Sequence, residues 1–135
     1  GFPYQQAALG ALVGDHVVIF EPVLVERDGS VGDKRSYKLL GVFACFCNRH
    51  PYSLKLRVEG HMDNKIPPFE GLELSRARAA AVRRWLISNG HVDGARMIAE
   101  GFGADRPIAD NRDFIGSAKN RRIEFVIMQK LDTGP

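Results

Sequence analysis

Residues 53–59, Ser-Leu-Lys-Leu-Arg-Val-Glu, alternate apolar and polar positions, which predicts a strand with Leu54, Leu56 and Val58 turned inward. Upstream, residues 16–27 are rich in β-branched side chains and predict one strand or two short ones, with Pro22 marking an edge or a break. Asp28-Gly29 and Gly32-Asp33 are turn signals. Residues 35–49 have helical spacing and end before Pro51. Leu40, Phe43, Ala44 and Cys47 make one apolar face of that helix, and Leu39, Val42 and Phe46 a second. Residues 64–71 hold Pro67-Pro68 and predict a loop, followed by a long helix over about 72–88 that stops at Asn89-Gly90. Asp93 can cap a short helix leading to Met97, residues 97–102 predict a third strand, and 121–129 a last one. Gly101, Gly103 and Pro107 mark an irregular loop, which the turn residues from Asn111 to Asn120 continue. The order βαβαβ with a further β predicts an α+β domain: one mixed sheet with its helices packed on one face.

Arg78 interrupts this pattern. In the helix from Leu74 to Leu86 the apolar stripe runs through Leu74, Ala81, Val82 and Trp85, and Arg78 lies at its centre. An unpaired buried charge costs several kcal/mol or more, so an arginine there sits at the open end of the stripe or is paired. Asp63 follows the predicted strand directly and is the nearest acid available. A strand-end carboxylate facing a helix-borne guanidinium makes a pocket suited to a ligand with both an amine and a carboxylate. A plain internal salt bridge is the alternative reading of the same pair.

Composition narrows the function classes. The 135 residues suit one domain, with 44% hydrophobic and 26% charged residues. Residues 16–130 form the expected domain, 1–15 an N-terminal extension and 131–135 a C-terminal tail. No apolar run reaches the ~20 residues of a membrane-spanning helix. The net charge of +3 is mild and the arginines are not interleaved with aromatics, so nucleic acid is not an expected partner. Cys45 and Cys47 lie two apart on a helix, where side chains diverge by about 200°, so neither a disulfide nor a zinc site is expected.

Catalysis has little support. Ser75 and Ser117 lack a histidine at a recognisable spacing, and no nucleophile elbow is present. Gly101-Phe-Gly103 lacks the third glycine of a dinucleotide loop. Nothing positions Glu59 and Glu70 as a glycosidase pair. No histidine, cysteine and acid cluster has metal-ligand spacing, so no cofactor or metal is expected.

Several short motifs in fixed order carry a resemblance. Gly60-His-Met-Asp63, Leu74-Ser75, Arg78-Ala79, Val82, Gly101-Phe-Gly103, Pro107 and Asn120-Arg-Arg-Ile-Glu124 are similar to the pattern of OmpA C-terminal-like domains, found in OmpA, Pal and MotB proteins. The match covers roughly residues 16 to 129 with family-like spacing. It implies an OmpA-like sandwich that binds peptidoglycan noncovalently through the diaminopimelate of a stem peptide and ties an envelope protein to the cell wall. By the same resemblance Asp63 holds the ligand's ammonium and Arg78 its carboxylate. Asn120 and Arg121 line the same groove, Arg121 as a second carboxylate donor, and His61 orients the site by a hydrogen bond. The domain is then expected in the periplasm. Because the chain opens on Gly1-Phe-Pro without methionine, the membrane anchor is expected in a segment outside it.

The departures concern the pocket. Met62 replaces the usual threonine, and a thioether cannot donate a hydrogen bond. Ile66 and Gly71 stand where the family often has glycine and asparagine, and Ser117 stands where it often has arginine. These losses motivate an alternative function, a protein-interaction domain in an envelope assembly with weakened or lost wall binding. The second apolar stripe, Leu39, Val42 and Phe46, then offers a homodimer or envelope-partner contact unless the N-terminal segment covers it.

Overall fold

The computed structural model describes residues 10–13, 16–19, 31–32, 34–49 and 54–130. Its elements are β1 (Gly10–Val13), β2 (His16–Ile19), α1 (Lys34–Arg49), β3 (Leu54–His61), α2 (Pro68–Ser88), a 3₁₀ turn (Gly94–Arg96), β4 (Met97–Gly101), α3 (Phe114–Asn120) and β5 (Arg122–Lys130). The strands form one sheet in the order β1-β2-β5-β3-β4. β3 and β4 are parallel, joined through α2, and the other neighbours are antiparallel.

The core lies between the helices and one sheet face. Leu40, Phe43, Ala44 and Cys47 of α1 and Ala79, Val82 and Leu86 of α2 pack on Leu56, Val58, Met97, Ile123 and Phe125. The rings of Phe43 and Phe125 stack with centroids 3.9 Å apart. Cys45 and Cys47 are both free, and burial pushes the Cys47 thiol up to about 12.

α2 approaches β3 and β4 closely because two paired residues lack side chains. Gly60 and Gly101 are register partners in the parallel ladder. A Cβ on Gly60 would stand 2.1 Å from the Ser75 carbonyl oxygen, and one on Gly101 2.4 Å from the Arg76 nitrogen. The Ser75 hydroxyl donates to the Leu72 carbonyl and accepts from the Gly103 N–H, 3.0 Å away. Gly103 itself is left-handed, at φ 57°. The glycines and the serine of the motifs therefore fix the seat of α2 on the strand ends where Asp63 emerges.

Several expectations change. α2 begins at Pro68, inside the predicted loop, because Pro68 occupies the first helical turn, where no N–H is needed. Residues 114–120 form α3 where continued loop was expected: the Asp113 side chain accepts from the Ile115 N–H and caps it. β1 falls within the expected N-terminal extension and pairs with β2 as an edge strand. The 3₁₀ turn is capped by Asp93 as predicted. The continuation of the first strand to residue 27, the break at Pro22, the turn at 28–29, the remaining extension and the tail at 131–135 lie outside the described residues.

The second stripe on α1 is not a free surface. Leu39 belongs to the core at 7% exposure, and Val42 and Phe46 are partly buried against it. Phe46 also lies tilted against Phe43, with centroids 6.4 Å apart. α1 is flanked by α2 as well as the sheet, so it needs a wider apolar face than a helix on a sheet alone.

Candidate functional site

Asp63 leaves the end of β3 on a segment pinned by the Met62 N–H donating to the Gly103 carbonyl at 2.8 Å. It is 3% exposed. One carboxylate oxygen, Oδ2, accepts from the Ser117 hydroxyl at 2.7 Å and from Arg121 Nη1 at 2.5 Å. The other, Oδ1, accepts from the Lys65 N–H at 3.1 Å. Burial alone would raise the Asp63 pKa, but the hydrogen bonds from Ser117, Arg121 and Lys65, with the charge of Arg121, outweigh it and hold the carboxyl below its ordinary value.

A plain internal salt bridge between Asp63 and Arg78, the alternative reading of that pair, is not what forms. Arg78 is half-buried, and its Nη1 meets the Met62 sulfur at 3.2 Å. No carboxylate among the described residues lies within ion-pair distance of it. Burial first, then the neighbouring Arg121 charge, lower its pKa, while Asp63 acts in the opposite sense. A guanidinium has five N–H donors and is charged throughout the accessible pH range. A sulfur is a weak acceptor, so Arg78 keeps most of its donor capacity unspent.

Arg121, expected only as a second donor to a ligand carboxylate, is the guanidinium that pairs with Asp63. It remains about a third exposed, with further N–H groups not engaged by Asp63. Sequence reasoning named Ser117 only as a departure from the family's arginine and missed that its hydroxyl holds Asp63. Ser117 lies 54 positions from Asp63 and on a helix that turn-forming residues concealed, so no spacing signal linked the two. Met62, which stands in place of the family's threonine, is buried and lies against Arg78. Gly71 lies two turns before Arg78 on the same side of α2, where a Cβ would meet Ile66 at an ordinary 3.7 Å.

Two expected site residues serve other purposes. Asn120 is fully buried: its Oδ1 accepts from the N–H groups of Ile108 and Ala109, and its Nδ2 donates to the Ala109 carbonyl and to Asn111 Oδ1. All four of its hydrogen-bonding positions are used in building the loop before α3, and none is left for a groove. His61, on the side of β3 opposite Val58, orients Glu59 through a 2.9 Å contact of Nε2 and stacks on Phe102.

Strand pairing also gathers a set of groups that sequence spacing did not indicate. Glu59, His61 and Glu124 bring three ligand-type atoms within 4.8 Å of one another. Glu59 and Glu124 are register partners on β3 and β5, and His61 is two residues beyond Glu59. Arg57 donates to Glu59 at 2.6 Å and Arg122 donates to Glu124, so two guanidiniums already balance the two carboxylates. A cation entering there would meet both, and among the described residues the Nδ1 of His61 has no hydrogen-bond partner to support a metal-bound ring. The donor set fits a buried ion-pair network, which also anchors the loop through Arg122 donating to the carbonyls of Asn120 and Arg106.

With this geometry in hand, comparison with known proteins is decisive at the family level. Residues 26–121 match the OmpA family. The chain belongs to the OmpA family. It is 39% identical over 102 residues to the outer membrane porin F of Pseudomonas aeruginosa, a match covering 76% of this chain and 29% of that protein. It is 30% identical over 122 residues to the peptidoglycan-binding protein ArfA of Mycobacterium tuberculosis, covering 90% of this chain and 35% of ArfA. The chain thus spans about a third of the length of such relatives. The structure of the cell wall anchor of the T6SS from Pseudomonas aeruginosa superposes with a TM-score of 0.75 at 26% identity, covering 93% of this chain and 92% of that one. The mixed sheet with helices on one face is therefore the arrangement of the OmpA-like domain, and several residues of the ordered motifs are its structural supports.

Proposed function

We propose that this OmpA-family domain is a noncovalent peptidoglycan-binding module that recognises the diaminopimelate of a stem peptide and holds an envelope protein to the cell wall from the periplasm. The observation that carries the reading is Arg78: a half-buried guanidinium whose described hydrogen-bond partner is a sulfur, set beside Arg121 and the Asp63 carboxylate. Leaving such donors without strong acceptors is costly in a closed protein and useful in a receptor. Arg78 and the outer N–H groups of Arg121 offer fork contacts to a ligand carboxylate. Asp63 has one acceptor position left on Oδ1 for an ammonium. The named cell-wall functions of ArfA and of the secretion-system anchor agree with this chemistry.

The test is sedimentation with purified peptidoglycan, comparing parent, Asp63→Ala and Arg78→Ala. Loss of co-sedimentation in both folded variants supports the reading, and undiminished binding by either removes it. One observation favours a second reading: Asp63 is already held by Ser117, Arg121 and a backbone N–H. An acid so occupied suits a domain that has weakened its wall contact and serves as a protein-interaction unit in an envelope assembly. A parent that fails to sediment with peptidoglycan would select that alternative.

A further inference from the structure

Of the three methionines in the chain, Met97 lies in the apolar core and Met128 is 48% exposed on β5, but Met62 is set against a charge. It is 5% exposed, yet it does not belong to the core between the helices and the sheet. Its sulfur lies 3.2 Å from Nη1 of Arg78, and its backbone N–H is held by the Gly103 carbonyl at 2.8 Å. A thioether accepts a hydrogen bond only weakly, which leaves the guanidinium free for a better acceptor. The same sulfur has a lone pair open to oxidation. A sulfoxide oxygen formed on it would be that better acceptor, already attached beside the guanidinium.

We propose that Met62 is an oxidation site through which hydroperoxides silence the anion receptor: as the sulfoxide, it takes up the Arg78 N–H groups that a ligand carboxylate needs. This rests on the binding reading above and gives the same pocket a redox control. The step is an oxygen transfer. The sulfur lone pair attacks one oxygen of a hydroperoxide, the O–O bond breaks and an S–O bond forms. Sulfur gives up two electrons and the peroxide is reduced. The departing oxygen takes the proton of the transferred one and leaves as water or, from an organic hydroperoxide, as an alcohol. Access follows from the receptor itself. A carboxylate that reaches Nη1 of Arg78 passes close to the sulfur, and hydrogen peroxide is smaller than any such ligand. The surroundings favour the product. Arg78 sits beside a second guanidinium, Arg121, and the Asp63 carboxylate is already engaged by Ser117, Arg121 and the Lys65 N–H. A dipolar oxygen therefore enters a site rich in unspent donors and adds no charge to be balanced.

The experiment treats the whole chain with hydrogen peroxide and then with dithiothreitol, which reverses sulfenate and disulfide at Cys45 but leaves sulfoxides. Sedimentation with purified peptidoglycan is measured before and after. Peptide mass spectrometry gives the sulfoxide fraction at each methionine, and circular dichroism checks the fold. The parent should lose affinity in proportion to sulfoxide at Met62, by about fivefold at full conversion. Met62→Leu should bind equally before and after treatment, whatever its starting level, and Met128→Leu should lose affinity as the parent does. Met62→Gln, which brings a carbonyl oxygen to the same guanidinium without peroxide, should bind more weakly than Met62→Leu before treatment. The site is overturned if Met62 stays unmodified at a dose well beyond the one that converts Met128, or if its conversion unfolds the protein. It is also overturned if conversion leaves binding intact, if Met62→Leu loses affinity as the parent does, or if Met62→Gln and Met62→Leu bind alike. An untreated parent that fails to sediment with peptidoglycan overturns the wall-binding reading and this control together, whereas each of the other failures leaves that reading standing.

Discussion

Replacing Ser117 by alanine removes one of three hydrogen bonds to a carboxylate that is almost wholly out of water. The bond measures 2.7 Å, and Asp63 is 3% exposed, so bulk solvent cannot replace the lost donor without opening the site. A hydrogen bond to a charged group is worth about 1.5–3 kcal/mol, whereas one to a neutral group is worth about 0.5–1.5 kcal/mol. Arg121 remains, so we place the cost at about 2 kcal/mol at neutral pH. The pH dependence follows from linkage. The folded-state pKa of Asp63 lies below its ordinary value of 3.8, so the carboxylate contributes stability above that value and loses it as pH falls through the folded pKa. Ser117→Ala raises the folded pKa and shrinks this contribution. The difference between parent and variant should therefore be largest near neutrality and fall to about 1 kcal/mol once both carboxyls are protonated. Urea unfolding of parent and variant from pH 7 down to the acid limit of folding measures it directly. A difference below about 0.5 kcal/mol at pH 7, or one that does not change with pH, would refute the role given to Ser117.

Three further outcomes follow from the packing. Gly60→Ala should destabilise by at least about 3 kcal/mol in chemical denaturation, because its methyl would meet the Ser75 carbonyl at 2.1 Å and backbone cannot step aside. Phe46→Glu should cost about 3 kcal/mol in the same assay, since the side chain packs against the core beside Phe43; an equally stable variant of altered mass by size exclusion would restore this stripe as a partner surface. Gly71→Asn should strengthen stem-peptide binding up to about tenfold by calorimetry, as its Cβ meets only Ile66 at van der Waals distance and its amide gains a place on the Arg78 side of α2.

The fold was legible in the sequence wherever apolar periodicity was long. β3, α1 and most of α2 follow from the alternation at 53–59 and the helical spacing of Leu40, Phe43, Ala44 and Cys47. Short elements were hidden by residues that serve two purposes. Asp110, Asn111, Asp113 and Gly116 read as a loop, yet Asp113 caps α3, and a Cβ at Gly116 would lie 2.2 Å from the Asp110 carbonyl oxygen. Pro67-Pro68 read as loop and opens α2. The site followed the same division. Asp63, Met62 and Arg78 come together because β3 and α2 were correctly read, while the partners of Asp63 depend on α3. Motif membership alone could not separate Arg121, which reaches Asp63, from Asn120, which is spent on the loop. Nor could it tell that His61 faces Glu59, because that depends on the strand continuing through residue 61.

The central claim is that Arg78, beside Asp63 and Arg121, is an anion receptor for a wall peptide. The most direct measurement is calorimetric titration of parent and Arg78→Lys with a diaminopimelate-containing stem peptide at neutral pH, with circular dichroism confirming that both are folded. Lysine keeps the charge and loses the fork, so the account predicts measurable binding by the parent and at least tenfold weaker binding by Arg78→Lys, about 1.4 kcal/mol. Equal affinity in the two proteins would contradict it.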